Sequence, residues 1–138
     1  MDYGRIFALS AAGMQLERTR LEVAAMNLAY AHSPQHPSNP GYQPLRVVSR
    51  AAFAGLVETG EVAPPIGSVE AAPVAVRLVQ EPGHPLADEQ GFVAYPGVDP
   101  ATEMVSLMTA LRSYEANVAA LNTARALALK TLEIGRGG

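Results

Sequence analysis

The sequence lacks cysteine and tryptophan altogether and carries only three phenylalanines and five tyrosines. Without cysteine there can be no disulfide framework, thiolate zinc site or cysteine nucleophile. So few aromatic residues also argue against a large aromatic core. No apolar run approaches the ~20 residues that cross a bilayer, so the sequence predicts no direct membrane insertion. The N-terminus lacks the cationic start and long apolar core of a cleaved signal peptide, and we expect none.

Strong charge is missing as well. The formal net charge is −3 and the ten basic residues are scattered, which argues against a nucleic acid partner. The segment 81–91, EPGHPLADEQG, places His84 near Glu81, Asp88 and Glu89, a set that could bind a divalent ion or transfer protons. Because glycine, proline and aspartate are ordinary turn residues, we favour a surface loop. With no phosphate-binding glycine motif and no serine nucleophile elbow, we predict no enzyme, metal or cofactor.

Proline is absent from both ends of the chain. All eleven prolines lie within residues 34–100, and proline breaks helix interiors. The proline-free ends therefore predict two long helices. The first spans about 3–32. The second begins with Asp99 as its N-cap and Pro100 as its first residue, and it closes at Gly135.

The middle of the chain is predicted to hold turns and short strands. Alternating or short apolar runs predict strands at 73–80 and 91–96, and residues 45–57 are predicted to form a strand or an irregular ribbon. Stretches rich in proline and glycine predict loops at 33–44 and 61–73.

These elements together predict a mainly α fold with a small β part. Residues 1–33 and 99–138 supply long N- and C-terminal helices, and residues 34–98 supply a short β-rich or irregular middle segment. In both helices, seam positions recur at alternating intervals of three and four residues, the spacing of a coiled coil. The residues that we assign to helix pairing and assembly are Leu9, Leu16, Val23, Asn27, Leu28, Met104, Leu107, Leu111, Tyr114, Asn117, Val118, Leu121 and Leu132.

Both helices carry more apolar surface than one seam needs. The residues that lie off the C-terminal seam are Met108, Leu127 and Leu129. Exposed apolar surface of this extent marks an interaction site, although the same spacing is also typical of a monomer core built from an antiparallel helix pair. Polar residues at seam positions can fix register or partner number, or they can simply face water. These residues are Arg20, Asn27 and Arg125.

Two blocks of the sequence carry recognisable motifs. The N-terminal block contains R-L-x-V-x-A-x-N-L-A at Arg20–Ala29. The C-terminal block, 81–135, contains G-H-P-x-A-D at 83–88, G-aromatic-V at 91–93, P-x-V at 96–98, the pair Glu103–Met104, S-Y-x-A-N at 113–117 and T-L-x-x-G at 131–135. With these motifs the chain resembles the flagellar basal-body rod proteins, specifically the proximal-rod FlgC type.

The sequence departs from the pattern of that family at two places. Tyr30 stands where an asparagine is usual, and Ala31 and His32 stand where another residue and then an asparagine or threonine are usual. This change bears on how the first helix ends and on what it contacts. Gly97 also stands where an asparagine is usual. We expect the second departure to be mild, because glycine and asparagine both tolerate left-handed turn geometry.

The resemblance implies a structural protein rather than an enzyme. It implies export through the flagellar type III apparatus without a cleaved signal, followed by polymerisation in the periplasm into a helical rod that is needed for motility. The implied partners are other rod subunits, further copies of this chain, and the membrane-ring and export-gate base of the flagellum. The two terminal helices would pair as a coiled coil and form the inner layer of the rod, and the middle segment would face outward. Within that layer we expect Met108, Leu127 and Leu129 to be available to neighbouring subunits.

Three alternatives stay open from the sequence. The chain could be another axial subunit of the rod or hook type, although a larger middle segment would then be expected than residues 34–98. It could be a small helical secretion-associated binding module such as a chaperone, which would not need the motifs at 83–88 and 96–104. It could also be a metal-dependent enzyme centred on His84.

Overall fold

A computed structural model describes residues 2–50 and 65–137. Two long helices, α1 (Tyr3–Tyr30) and α2 (Pro100–Arg136), flank four short strands. The strands are β1 (Leu45–Arg50), β2 (Ile66–Ala71), β3 (Arg77–Gln80) and β4 (Phe92–Tyr95). The predicted fold class, mainly α with a small β part, is therefore confirmed. Across the described residues, neither helix has the combination of length and apolar character that crossing a membrane requires.

Each helix has an aspartate as its N-cap, the residue just before its first turn. The Asp99 carboxylate accepts hydrogen bonds from the Thr102 hydroxyl (2.6 Å) and the Ala101 N–H (3.3 Å), and Pro100 is the first residue of α2. The predicted cap is thus confirmed. The Thr102 hydroxyl bond, followed by the Ala101 N–H bond, lowers the pKa of the Asp99 carboxyl. At α1, Asp2 plays the same part by accepting the Arg5 N–H at 3.1 Å, which the sequence analysis missed.

The helix ends differ slightly from the prediction. Helix α1 ends at Tyr30 rather than His32, and the Ser33 N–H turns back to the Tyr30 carbonyl at 3.1 Å. Helix α2 continues through Gly135 to Arg136. Gly135 is therefore the penultimate helical residue and not a cap, which corrects the prediction by a margin that is common for fraying helix ends.

The strands agree in part with the prediction. Of the predicted strand 45–57, residues 45–50 form β1, and the rest lies outside the described residues. Strands were also correctly predicted at β3 and β4, although β3 begins only at Arg77. The predicted loop 61–73 is wrong where it is described, because Ile66–Ala71 forms β2. Its glycine-containing sequence gives a weak local signal, and pairing with the distant β1 supplies the backbone partners.

The sheets are small. Strands β1 and β2 form one two-stranded sheet, and β3 and β4 form another. The second pair is antiparallel, with Arg77 opposite Tyr95 and Gln80 opposite Phe92.

The chain divides into two compact units, each containing part of both helices. Unit 1 comprises Met1–Thr19, Ser49–Ser68 and Thr109–Gly138. Unit 2 comprises Arg20–Val48 and Val69–Met108. The separation into terminal helices and a middle segment at 34–98 is a different division of the chain and stays a prediction.

Within unit 1 the two helices run antiparallel. The Tyr3 hydroxyl lies 3.1 Å from the Thr131 hydroxyl. Further along, a Cβ atom on Gly13 would lie 3.2 Å from the Asn117 side-chain amide. The small glycine therefore allows a close approach of α1 to Asn117. Ala124 and Leu16 are buried in this unit.

Candidate functional site

The centre of unit 2 is the side chain of Asn27, which is only 1% exposed. Its amide nitrogen donates to the Leu45 carbonyl at 2.8 Å and to a Glu103 carboxylate oxygen at 3.2 Å. Its amide oxygen accepts from the Tyr42 hydroxyl at 2.7 Å and from the Leu45 N–H at 2.9 Å. The full capacity of an asparagine amide, two donated and two accepted bonds, is used. Asn27 thus ties α1 to the start of β1 and to the first turn of α2.

This burial decides one alternative that the sequence left open. Asn27 does not face water, whereas Arg20 and Arg125, the other two polar seam residues, are both exposed. Whether any of the three sets a register between subunits stays a prediction. Inside the chain, the Asn27 amide fixes the relative position of three elements that are far apart in sequence.

Two stacked tyrosines extend the Asn27 network. The rings of Tyr30 and Tyr42 are 4.3 Å apart between centroids and only 12° from parallel. The Tyr42 hydroxyl donates to Asn27, and burial of Tyr42, followed by the nearby charge of Glu103, raises the pKa of this hydroxyl. Tyr30 therefore packs against a residue that contacts the buried amide.

At Gly97, the second departure, the structural reason for a glycine differs from the left-handed turn geometry that we expected. Its backbone does not adopt a positive φ, and the one glycine with a positive φ in the described residues is Gly91, at 82°. A Cβ atom on Gly97 would instead lie 2.2 Å from the Ala75 carbonyl oxygen. The expectation based on left-handed turn geometry is therefore wrong. A close approach of two backbone segments, rather than a turn conformation, favours glycine at this position.

The loop around His84 is held together by its own polar groups. The His84 Nδ1 atom accepts the Leu86 N–H at 3.0 Å, and the Asp88 carboxylate accepts the N–H groups of Gln90 and Phe92 at 3.0 and 2.8 Å. Glu81 accepts the Tyr95 hydroxyl at 3.2 Å. In the part of the chain that the structure describes, no three His, Asp or Glu side chains gather as a metal site. These polar groups stabilise turns, as the favoured interpretation of the segment had it.

The predicted assembly residues of α1 lie mainly inside the molecule. Leu16, Val23 and Asn27 are buried, and Leu9 and Leu28 are half-buried. In unit 2, the Asn27 amide reaches the first turn of α2 directly through its bond to Glu103.

The predicted assembly residues of α2 divide into two groups. The half-buried group is Leu107, Tyr114, Asn117, Val118 and Leu121. The exposed group is Met104, Leu111 and Leu132. Within unit 1, Leu132 follows directly on Thr131, which contacts Tyr3 in the first turn of α1. Helix α1 therefore offers little to cover Leu132, which is 64% exposed.

Further apolar side chains of α2 are also exposed. They include Met108 (54%), Leu127 (48%) and Leu129 (52%), the residues that we expected to be available to neighbouring subunits. Val105 and Ile134 join them, at 64% and 80%. Their role in subunit contacts stays a prediction, but the helix presents a large apolar surface to solvent.

Two residues with structural roles were missed by the sequence analysis. Tyr42 was assigned to a loop without a role, and Gln35 was not considered. The backbone of Gln35 pairs with Ala94 of β4 through bonds of 2.8 and 2.9 Å, and its side chain donates to the Tyr42 carbonyl at 3.3 Å. Neither residue belongs to a periodic pattern, so only the folded chain reveals them.

Comparison with known proteins gives one consistent result. Residues 89–134 match the family model described as flagellar basal body rod FlgEFG protein C-terminal. The chain is also similar to the flagellar basal-body rod protein FlgC of Salmonella typhimurium strain LT2, with 41% identity over 131 residues, covering 95% of this chain and 96% of that protein.

Proteins of the same description from two further bacteria are also similar to this chain. The FlgC protein of Yersinia enterocolitica is 40% identical over 136 residues, covering 99% of this chain and all of the relative. That of Aquifex aeolicus is 33% identical over 133 residues, covering 96% and 97% of the two chains. The similarity therefore includes both helices and the strands between them.

Proposed function

Because this chain belongs to the FlgC family of flagellar basal-body rod proteins, we propose that it polymerises with other rod proteins and with copies of itself into the helical shaft of the proximal rod. Membership makes it a structural subunit of the basal-body rod, which assembles there with other rod subunits. The shaft transmits torque from the membrane ring to the distal rod and hook, and flagellum-dependent motility requires it. The contribution is mechanical, without catalysis.

The exposed apolar surface of α2 is the observation that carries this proposal. Soluble monomers rarely leave such a surface in water, and it usually marks a contact with another protein. If the contact joins unlike patches on successive subunits, it does not close on itself and produces a filament. Burial of these side chains would contribute ~25 cal/mol per Å², offset by the ordering of the chain on assembly.

The remaining partners follow from the same proposal. The subunit reaches the periplasm through the flagellar type III export apparatus without a cleaved signal, and the base of the rod contacts the membrane ring and export gate. In the assembled rod, the paired segments 1–33 and 99–138 form the inner layer, and the segment 34–98 lies outside it.

Hydrogen exchange tests the proposal on the purified subunit. Of the 37 residues of α2, only Ala110 and Ala124 are buried. Packing against the rest of its own chain therefore contributes little to the stability of this helix. We expect fast amide exchange across 105–130 in the free subunit and slow exchange in assembled basal bodies. The buried strand residues Val93 and Ala94 are the internal control and should exchange slowly in both. Strong protection across 105–130 in the monomer would contradict the proposal.

A further inference from the structure

The outer edge of strand β3, in unit 2, offers backbone groups that the chain itself does not use. The Glu81 N–H bonds to the Gly91 carbonyl at 2.8 Å, one step beyond the β3–β4 pairing. Because bonded and non-bonded pairs alternate in an antiparallel ladder, Leu78 and Gln80 direct their N–H and C=O groups away from β4. Consistently, Ala94, which lies opposite Leu78, bonds on its other side to Gln35.

This edge is open. Over the described residues, no hydrogen bond reaches the outward backbone groups of Leu78 and Gln80. Both residues are exposed, Leu78 by 54%. An unpaired strand edge is a template on which another strand can add.

The side chains along the edge are complementary to their own copy. Arg77, Val79 and Glu81 share one face of the strand. The Arg77 guanidinium lies 5.3 Å from the centre of the Tyr95 ring, and Glu81 accepts the hydroxyl of the same tyrosine. Contacts with Tyr95 thus position the positive Arg77 at the start of β3 and the negative Glu81 just past its end.

We propose that β3 pairs antiparallel with β3 of a second copy of this chain, around a two-fold axis that passes beside Val79. In this register the backbone of Leu78 exchanges hydrogen bonds with that of Gln80 in the second copy. Arg77 of each copy lies opposite Glu81 of the other, so the pair contains two opposite-charge contacts. A shift by two residues in either direction removes both charge pairs. Pro82, which has no N–H, ends the ladder immediately after Glu81.

Such a pair goes beyond the proposed function. A two-fold contact is closed, so it joins subunits as dimers and does not extend a filament. It uses residues 77–81 and none of the residues assigned to rod assembly. The contact is short and therefore weak, which suits a reversible dimer of unassembled subunits.

Cysteine cross-linking tests the register, because the chain contains no cysteine of its own. In a two-fold pair centred beside Val79, the Cα atoms of the two 79 positions lie about 4.5 Å apart, within disulfide range. The matched control, Gln80→Cys, places its cysteines diagonally, about 7–8 Å apart, beyond that range. We expect Val79→Cys to cross-link faster under mild oxidation, although Gln80 is the more exposed position. Equal rates, or faster cross-linking of Gln80→Cys, would overturn the proposal.

Charge exchange tests the partner. Arg77→Glu or Glu81→Arg alone places like charges opposite each other and should weaken dimerisation about tenfold in sedimentation velocity. An equimolar mixture of the two variants restores both opposite-charge pairs and should dimerise like the original protein. Thermal unfolding of each variant checks that it is folded. The proposal is overturned if the wild-type chain alone stays monomeric at every concentration. It is also overturned if the chain associates with other rod proteins but not with its own copies. Rod incorporation and motility report separately on the proposed function.

Discussion

The side-chain amide of Asn27 makes all four of its hydrogen bonds inside unit 2. Replacing the amide nitrogen alone should therefore lower the stability of the fold. Asn27→Asp keeps the shape of the side chain but replaces the two N–H donors with a carboxylate oxygen beside the Leu45 carbonyl and Glu103. Buried acceptors would then face each other, and we expect a loss of about 2–4 kcal/mol in the free energy of unfolding.

Chemical denaturation followed by circular dichroism measures this loss. Asn122→Asp, the same change at an exposed position of α2, is the matched control and should alter stability by less than about 0.5 kcal/mol. Equal stability of the two variants would mean that the Asn27 network does not hold unit 2 together.

Gly97 is a second single-residue constraint. In Gly97→Ala the new methyl group meets the Ala75 carbonyl oxygen, because a Cβ there lies 2.2 Å away. One backbone segment must shift, and overpacking of this kind costs about 1–3 kcal/mol. Gly41→Ala, where a Cβ meets no atom within 4 Å, is the control and should leave the melting temperature unchanged or raise it slightly. A melting temperature for Gly97→Ala that matches the control would contradict the close approach.

Residue-level prediction from sequence was limited by distance along the chain. Helical spacing was enough to select Asn27 as a polar residue on a seam. Its partners Tyr42 and Glu103 lie 15 and 76 residues away, and no local pattern connects them. For the same reason, the space around Gly97 could be judged only once Ala75 was seen beside it.

At the scale of elements, the helices were predictable because their signals are local. Proline-free stretches, aspartate caps and a helical period are read within a few residues, and both helices appear within about two residues of their predicted bounds. Strand β2 was missed because its pairing with β1, not its sequence, makes it a strand. Short strands with weak alternation depend on partners that periodicity does not identify.

The end of α1 depends on the stack of Tyr30 on Tyr42. Tyr30→Asn removes the aromatic ring and installs a residue of similar helix propensity, so the main loss is the ring contact. We expect a decrease of about 0.5–1.5 kcal/mol in the free energy of unfolding. Tyr30→Phe keeps the ring and should unfold like the original protein in the same denaturant series. If both variants lose stability equally, the Tyr30 hydroxyl rather than the stack would be responsible.

At the scale of the whole molecule, the sequence indicated more apolar surface than one chain can cover, and α2 has that surface. Most buried side chains of the described residues are small or medium, such as Ala24, Val93 and Ala110, and many large apolar side chains remain exposed. What the sequence could not provide is the division of the chain into units, since each unit combines segments from both ends. The exposed apolar side chains of α2 are thus the feature of the molecule on which the proposed assembly rests.

Met108 is one of these side chains and is 54% exposed, so a substitution at this position should separate effects on folding from effects on assembly. Met108→Glu keeps a good helix former and removes no buried group, and the free energy of unfolding should change by less than about 0.5 kcal/mol. A charge buried between subunits is expensive, so we expect the variant to be absent from purified basal bodies and the cells to be non-motile. Met108→Leu, which stays apolar, should support normal swimming. Normal swimming and normal incorporation of Met108→Glu would exclude this position from the subunit contacts.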